Sequence, residues 1–69
     1  MSKPQEPTLL RKLRVKSGMT QADVASKAGI SEVAVSFIER GITTKPRMVT
    51  AQILEGLFGK RINTLLKPA

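Results

Sequence analysis

The sequence predicts an all-α domain, a compact bundle of five short helices. Two observations carry this. Apolar residues recur at i, i+3 and i+4 spacing, which is the period of a helix and not the alternation of a strand. Residues that start and stop helices also punctuate the chain at short intervals. Thr20 and Ser31 stand ahead of apolar runs, and Gly18, Gly29, Gly41 and Gly59 stand behind them. At 69 residues the chain holds one domain at most. Its core must be small, because a chain this short buries only about 60% of the surface its unfolded form exposes.

Residues 1–7 carry Pro4 and Pro7 among polar neighbours and are expected to form a flexible lead-in. Thr8 is the expected N-cap of a first helix over residues 9–16, with Leu10, Leu13 and Arg14 on one face and Ser17-Gly18 as its end. A second helix is predicted over 21–28. Thr20 and Asp23 form a capping-box pattern at its start, with Asp in place of the usual Glu. Val24, Ala25 and Ala28 make its buried stripe, and the two alanines let another helix cross closely. Gly29 stops it, since glycine enters left-handed backbone space without steric cost.

Ser31 caps a third helix over 32–40, with Val35 and Ile38 inward, Ala34 partly covered and Gly41 as its stop. Pro46 fits the first turn of a fourth helix over 47–58, whose apolar positions are Val49, Ile53, Leu54, Leu57 and Phe58. Gly56 inside that helix either costs about 1 kcal/mol relative to alanine or marks a close contact. A short fifth helix over 61–66 presents Ile62, Leu65 and Leu66 to either the core or a dimer surface. Residues 67–69 read as a frayed tail. The domain proper is therefore expected to span 8–66, between the lead-in and the tail.

Composition excludes several functions. With no Cys and no His, neither a disulfide framework, a thiolate or imidazole metal site, nor a Ser-His-Asp or Cys-His catalytic unit can be built. No enzyme activity, cofactor, metal or small-molecule ligand is expected. Aromatics are 3% of the residues, too few for a base-stacking platform on single strands. Lys and Arg total 12 against 5 Asp and Glu, a formal charge of +7. That balance calls for a polyanion, either nucleic acid or an acidic membrane surface. The basic residues are scattered over helices that must also pack together, so a membrane-surface helix fits poorly. No apolar run approaches the ~20 residues of a bilayer span, and residues 1–7 lack the apolar core of a secretory signal. The expected location is the bacterial cytosol or nucleoid.

The informative stretch is residues 20–41. It reads as two short helices joined by a tight turn that carries a glycine (Gly29), an apolar plug (Ile30) and a cap (Ser31). A small residue, Ala25, stands where the second helix must cross the first. This is the recipe of a helix-turn-helix. The second helix then stands proud of the body, with Glu32, Val33, Ser36, Phe37 and Arg40 outward.

The segment resembles the helix-turn-helix of the phage repressor and Cro family, the XRE type. The resemblance runs from about residue 10 to 58. It rests on Ser-Gly-Met-Thr-Gln-Ala-Asp-Val-Ala at 17–25, Ala-Gly-Ile-Ser at 28–31, Ile-Glu-Arg-Gly at 38–41 and Lys-Pro-Arg at 45–47. It implies a lambda-repressor-like fold and a transcriptional regulator that occupies double-stranded operator DNA, as a homodimer on a palindromic site. The resemblance also implies roles. Ser31, Glu32, Val33, Ser36 and Phe37 would read bases in the major groove. Thr20, Gln21, Arg40, Thr43, Thr44 and Lys45 would hold phosphates. Arg47 would enter a narrow minor groove, and Arg14 with Glu39 would form a structural ion pair. Glu32 suits a cytosine amine, and Val33 and Phe37 suit thymine methyl groups.

Each role has a plainer counterpart. Gln21 is an ordinary polar residue for the start of a helix. Val33 and Phe37 become core residues if the third helix is rotated. Glu32 can serve its helix N-terminus through the dipole alone. Lys45 and Arg47 can be a solvated loop, and Arg11, Lys12 and Lys16 a solvated face. A different function on the same fold, an antitoxin or adaptor working through protein contacts, is the alternative to DNA recognition.

Overall fold

A computed structural model describes residues 7–69; residues 1–6 of the expected lead-in lie outside the described residues. Five helices follow in chain order: α1 Leu9–Lys16, α2 Gln21–Ala28, α3 Glu32–Glu39, α4 Met48–Phe58 and α5 Ile62–Leu65. Local chemistry accounts for most of the boundaries. The Thr20 hydroxyl accepts from Asp23 N at 3.0 Å, and the Asp23 carboxylate accepts from Thr20 N at 2.9 Å, so both halves of the capping box are closed. Ser31 Oγ accepts from Ala34 N at 3.1 Å at the head of α3. Between them Gly29 sits at φ 71°, the left-handed conformation that turns the chain from α2 into α3.

The core is one cluster: Leu10, Val24, Ala25, Ala28, Val35, Ile38, Leu54 and Leu65. Each Val, Leu or Ile buried there contributes roughly 1.5–3 kcal/mol relative to exposure. Ala25 and Ala28 are buried, and α2 packs on both α3 and α4. Leu65 is core, and Ile62 and Leu66 pack against it, so the apolar residues of α5 are spent inside the fold.

Several boundaries and roles differ from expectation. Thr8 does occupy the N-cap position, but its hydroxyl makes no cap bond; it is buried without a hydrogen-bond partner. The cause is long-range: Thr8 N donates to Glu39 O at 3.0 Å, and the residue bridges to Pro68, which draws it under neighbouring chain. Arg40 is the C-cap of α3 and not its last helical residue. Arg47 is extended (ψ 150°) and caps α4, so helix begins at Met48 and Pro46 precedes the cap instead of sitting in the first turn. Arg61 and Leu66 likewise flank α5. Val49 is 66% exposed, and Thr50 takes the buried position beside it. The tail is not frayed: Leu9 N donates to Lys67 O at 2.8 Å, and Ala69 N to Pro7 O at 2.9 Å.

Two polar contacts have no sequence forewarning. Glu55 Oε2 accepts from Ile62 N at 2.8 Å, so a side chain of α4 caps the four-residue α5. Arg14 Nη1 donates to Met19 O at 2.8 Å and ties α1 to the strand of chain entering α2.

Candidate nucleic-acid interface

The placement of α3 begins with its buried side. Val35 and Ile38 are inside, and Glu39 is only 1% exposed. Helical geometry then turns residues 32, 33, 36, 37 and 40 away from the core. Val33 is 61% exposed and Phe37 39%, so neither is a core residue. Ser31, Glu32 and Arg40 are exposed and Ser36 is half-buried. The five residues expected to read bases thus lie together on the head and outer face of one helix. The guanidinium of Arg40 stands 5.5 Å from the centroid of the Phe37 ring, within cation–π range.

Glu39 anchors the helix from below. Arg14 Nε donates to Glu39 Oε2 at 2.5 Å, and Arg14 Nη2 to Oε1 at 3.2 Å. This two-pronged pair is the ion pair found among the described residues. Gln21 Nε2 also donates to Oε1, at 3.1 Å. The buried carboxylate therefore joins α1, the first residue of α2 and the last residue of α3.

That third contact refines what Gln21 can do. Its amide nitrogen carries two hydrogens, and one is taken by Glu39. The other makes no hydrogen bond within the described residues, and Gln21 is half-buried at the start of α2. Thr20 is exposed beside it, although its oxygen already accepts from Asp23 N. The Thr20 amide and hydroxyl hold the Asp23 carboxyl below the ordinary carboxylate range, and Lys27 adds to the effect. Asp23 thus keeps a negative charge at the same helix end.

Beyond α3, Ile42 N and Thr43 N both donate to Phe37 O, at 2.9 and 3.1 Å, so the loop folds back on the outer helix. Thr44, Lys45 and Arg47 are exposed there and Thr43 is half-buried. Thr43, Pro46 and Arg47 line a notch of ≈ 180 Å³ with Ile30 and Ala34, which places this loop beside the head of α3. Arg47 makes no cap bond, and the first turn of α4 contains no acid. The loop is accordingly cationic next to an uncompensated helix N-terminus. On α1, Arg11, Lys12 and Lys16 are exposed as a solvated face.

A supporting helix, a glycine turn and a second helix with a free outer face define a helix-turn-helix protein. The chain belongs to the Helix-turn-helix family, whose sequence profile matches residues 10–65. It is 34% identical over 58 residues to an uncharacterized HTH-type transcriptional regulator of Archaeoglobus fulgidus, spanning 84% of this chain and 81% of that relative. Its fold is similar to the N-terminal DNA binding domain of SinR from Bacillus subtilis, with a TM-score of 0.67, 26% identity and 84% of each chain covered. The family is one of DNA-binding transcription regulators, and its helix-turn-helix domains bind double-stranded DNA. Among the described residues no helix is long and apolar enough to cross a membrane.

Proposed function

We propose that this chain is a sequence-specific regulator of the Cro-like repressor kind, of phage or mobile-element type, that acts by occupying an operator as a homodimer on a palindromic site. The observation that carries the reading is the exposed face of α3, bearing Ser31, Glu32, Val33 and Phe37 and bordered by Arg40, Lys45 and Arg47. A protruding helix with mixed polar and apolar side chains suits base edges, and flanking cations suit the phosphates on either side. Gln21, Thr20, Thr43 and Thr44 add neutral phosphate donors. Arg47 enters the minor groove and reads its width. Repression comes from excluding polymerase at the site, in the bacterial cytosol or nucleoid.

Selection of bound duplexes from a random pool, followed by footprinting, tests the reading. The expected product is a two-fold symmetric motif whose half-sites lie about 34 Å apart, one turn of DNA. Binding should weaken steeply as salt rises, because phosphate neutralisation supplies much of the affinity. A purified protein that retains no duplex at low ionic strength overturns it.

A further inference from the structure

The outward face of α4 is unlike the rest of the surface. Met48 is 75% exposed and Val49 66%, and Gln52 and Gly56 are exposed along the same helix. At 3.6 residues per turn, residues 48, 49, 52 and 56 fall on one side, opposite the buried Thr50 and Leu54, with Ile53 at the edge of that face and packed against the core. In a chain of net charge +7, α4 holds a single charged side chain, Glu55. That carboxylate is engaged by Ile62 N.

Gly56 sharpens the anomaly. The other four glycines take positive φ, but Gly56 does not, and a Cβ placed on it would meet nothing within 4 Å. Neither the backbone nor packing among the described residues requires glycine there. It nevertheless destabilises a helix relative to alanine. The missing side chain matters only to something that approaches from outside.

We propose that this face docks a second copy of the chain, α4 against α4, with the two helices crossing at Gly56. Interaxial distance is set by the side chains at the crossing, and glycine lets the backbones come close. The occupant is a second copy because the face carries no cation for phosphate or carboxylate. Two chains of +7 also repel each other, so an uncharged apolar face is where they can meet. The area is that of one short helix face, well under the roughly 800 Å² per partner of stable dimers. Association is therefore weak in free solution and is completed on DNA, where the phosphate contacts of both copies add. The proposal rests on the DNA-binding reading only for its purpose, which is to set two reading helices on one duplex.

The chain has no cysteine, so Gln52→Cys supplies a unique thiol on this face. Under mild oxidation without DNA, the Gln52→Cys protein should form disulfide-linked dimers much faster than a Lys12→Cys protein, whose thiol is exposed on α1. Adding Gly56→Gln should slow the crosslink about tenfold or more, by forcing a side chain into the crossing. The same substitution should raise thermal stability, because it removes a mid-helix glycine into open space. Sedimentation equilibrium of the cysteine-free chain should show a matching loss of self-association for Gly56→Gln. Equal crosslinking of the Gln52 and Lys12 thiols, or self-association unmoved by Gly56→Gln, overturns the proposal. Duplex binding that persists in that case leaves the DNA reading intact, whereas efficient crosslinking with no duplex binding removes the DNA reading alone.

Discussion

The side-chain amide of Gln21 donates to the same oxygen of Glu39, Oε1, that accepts from Arg14 Nη2. Glu39 ends α3 and Gln21 begins α2, so the bond fixes the tail of α3 to the head of α2. One buried carboxylate thereby holds both the side chain proposed to meet phosphate and the helix proposed to read bases.

Breaking that charge pair should be costly. Arg14 is 12% exposed and Glu39 1%, and removing one partner of a buried pair leaves a charge without compensation. Arg14→Met should destabilise the fold by about 3–5 kcal/mol in urea unfolding. Arg14→Met combined with Glu39→Leu should regain most of that loss. If the double variant is no more stable than the single, the cost lies in packing and not in the stranded carboxylate.

Gln21→Ala should lower DNA affinity by a similar factor on every sequence, because a phosphate contact carries no base information. Titration of several unrelated duplexes checks this. A loss confined to one base position would assign Gln21 to base reading instead.

Arg47→Ala should weaken binding, relax the preference at A·T-rich positions and reduce the slope of log affinity against log salt by about one per bound copy. Unchanged preference with a reduced slope would place Arg47 on the phosphates. An unchanged affinity would take it off the DNA altogether.

Val33→Ser and Phe37→Leu should each change the motif recovered from a random pool, with Val33→Ser losing selection for thymine at its position. Phe37→Leu also removes the ring beneath Arg40. Its effect should therefore include a sequence-independent loss that Arg40→Gln reproduces. A motif identical to that of the parent protein removes the substituted residue from the reading set.

The capping box should make stability depend on acid. The Thr20 amide, and then its hydroxyl, lower the folded pKa of Asp23. Its contribution is therefore complete above the unfolded carboxylate pKa and is lost as pH falls through the lowered folded value. Asp23→Asn should melt earlier than the parent protein at pH 7, and the two melting curves should converge well below about pH 4. A constant gap down to strong acid would show that the carboxylate charge contributes nothing to the cap.

The legible parts of this fold are the ones written locally. Thr20 with Asp23, Ser31 with Ala34 and the turn at Gly29 each lie within a few residues, so helix starts and stops could be read from neighbours. The outward face of α3 followed from the same periodicity, because Val35 and Ile38 claim the core and leave Val33 and Phe37 outside. Resemblance supplied the Arg14 and Glu39 partnership, but nothing near Gln21 signals that it joins them, since the bond spans 18 positions. The Glu55 cap on α5 and the burial of Thr8 under the tail were hidden for the same reason. Val49 misled because an apolar residue at helical spacing looks like core until the direction of the whole helix is known.

The bonds between residues 7–9 and 67–69 close the bundle into a ring. Among the described residues, neither flank of the bundle can be peeled alone: lifting residues 67–69 uncovers Thr8, and Thr8 is bonded to the last residue of α3. Melting should accordingly be all-or-none, with the tiny α5 vanishing in the same step as α1 and no earlier unravelling.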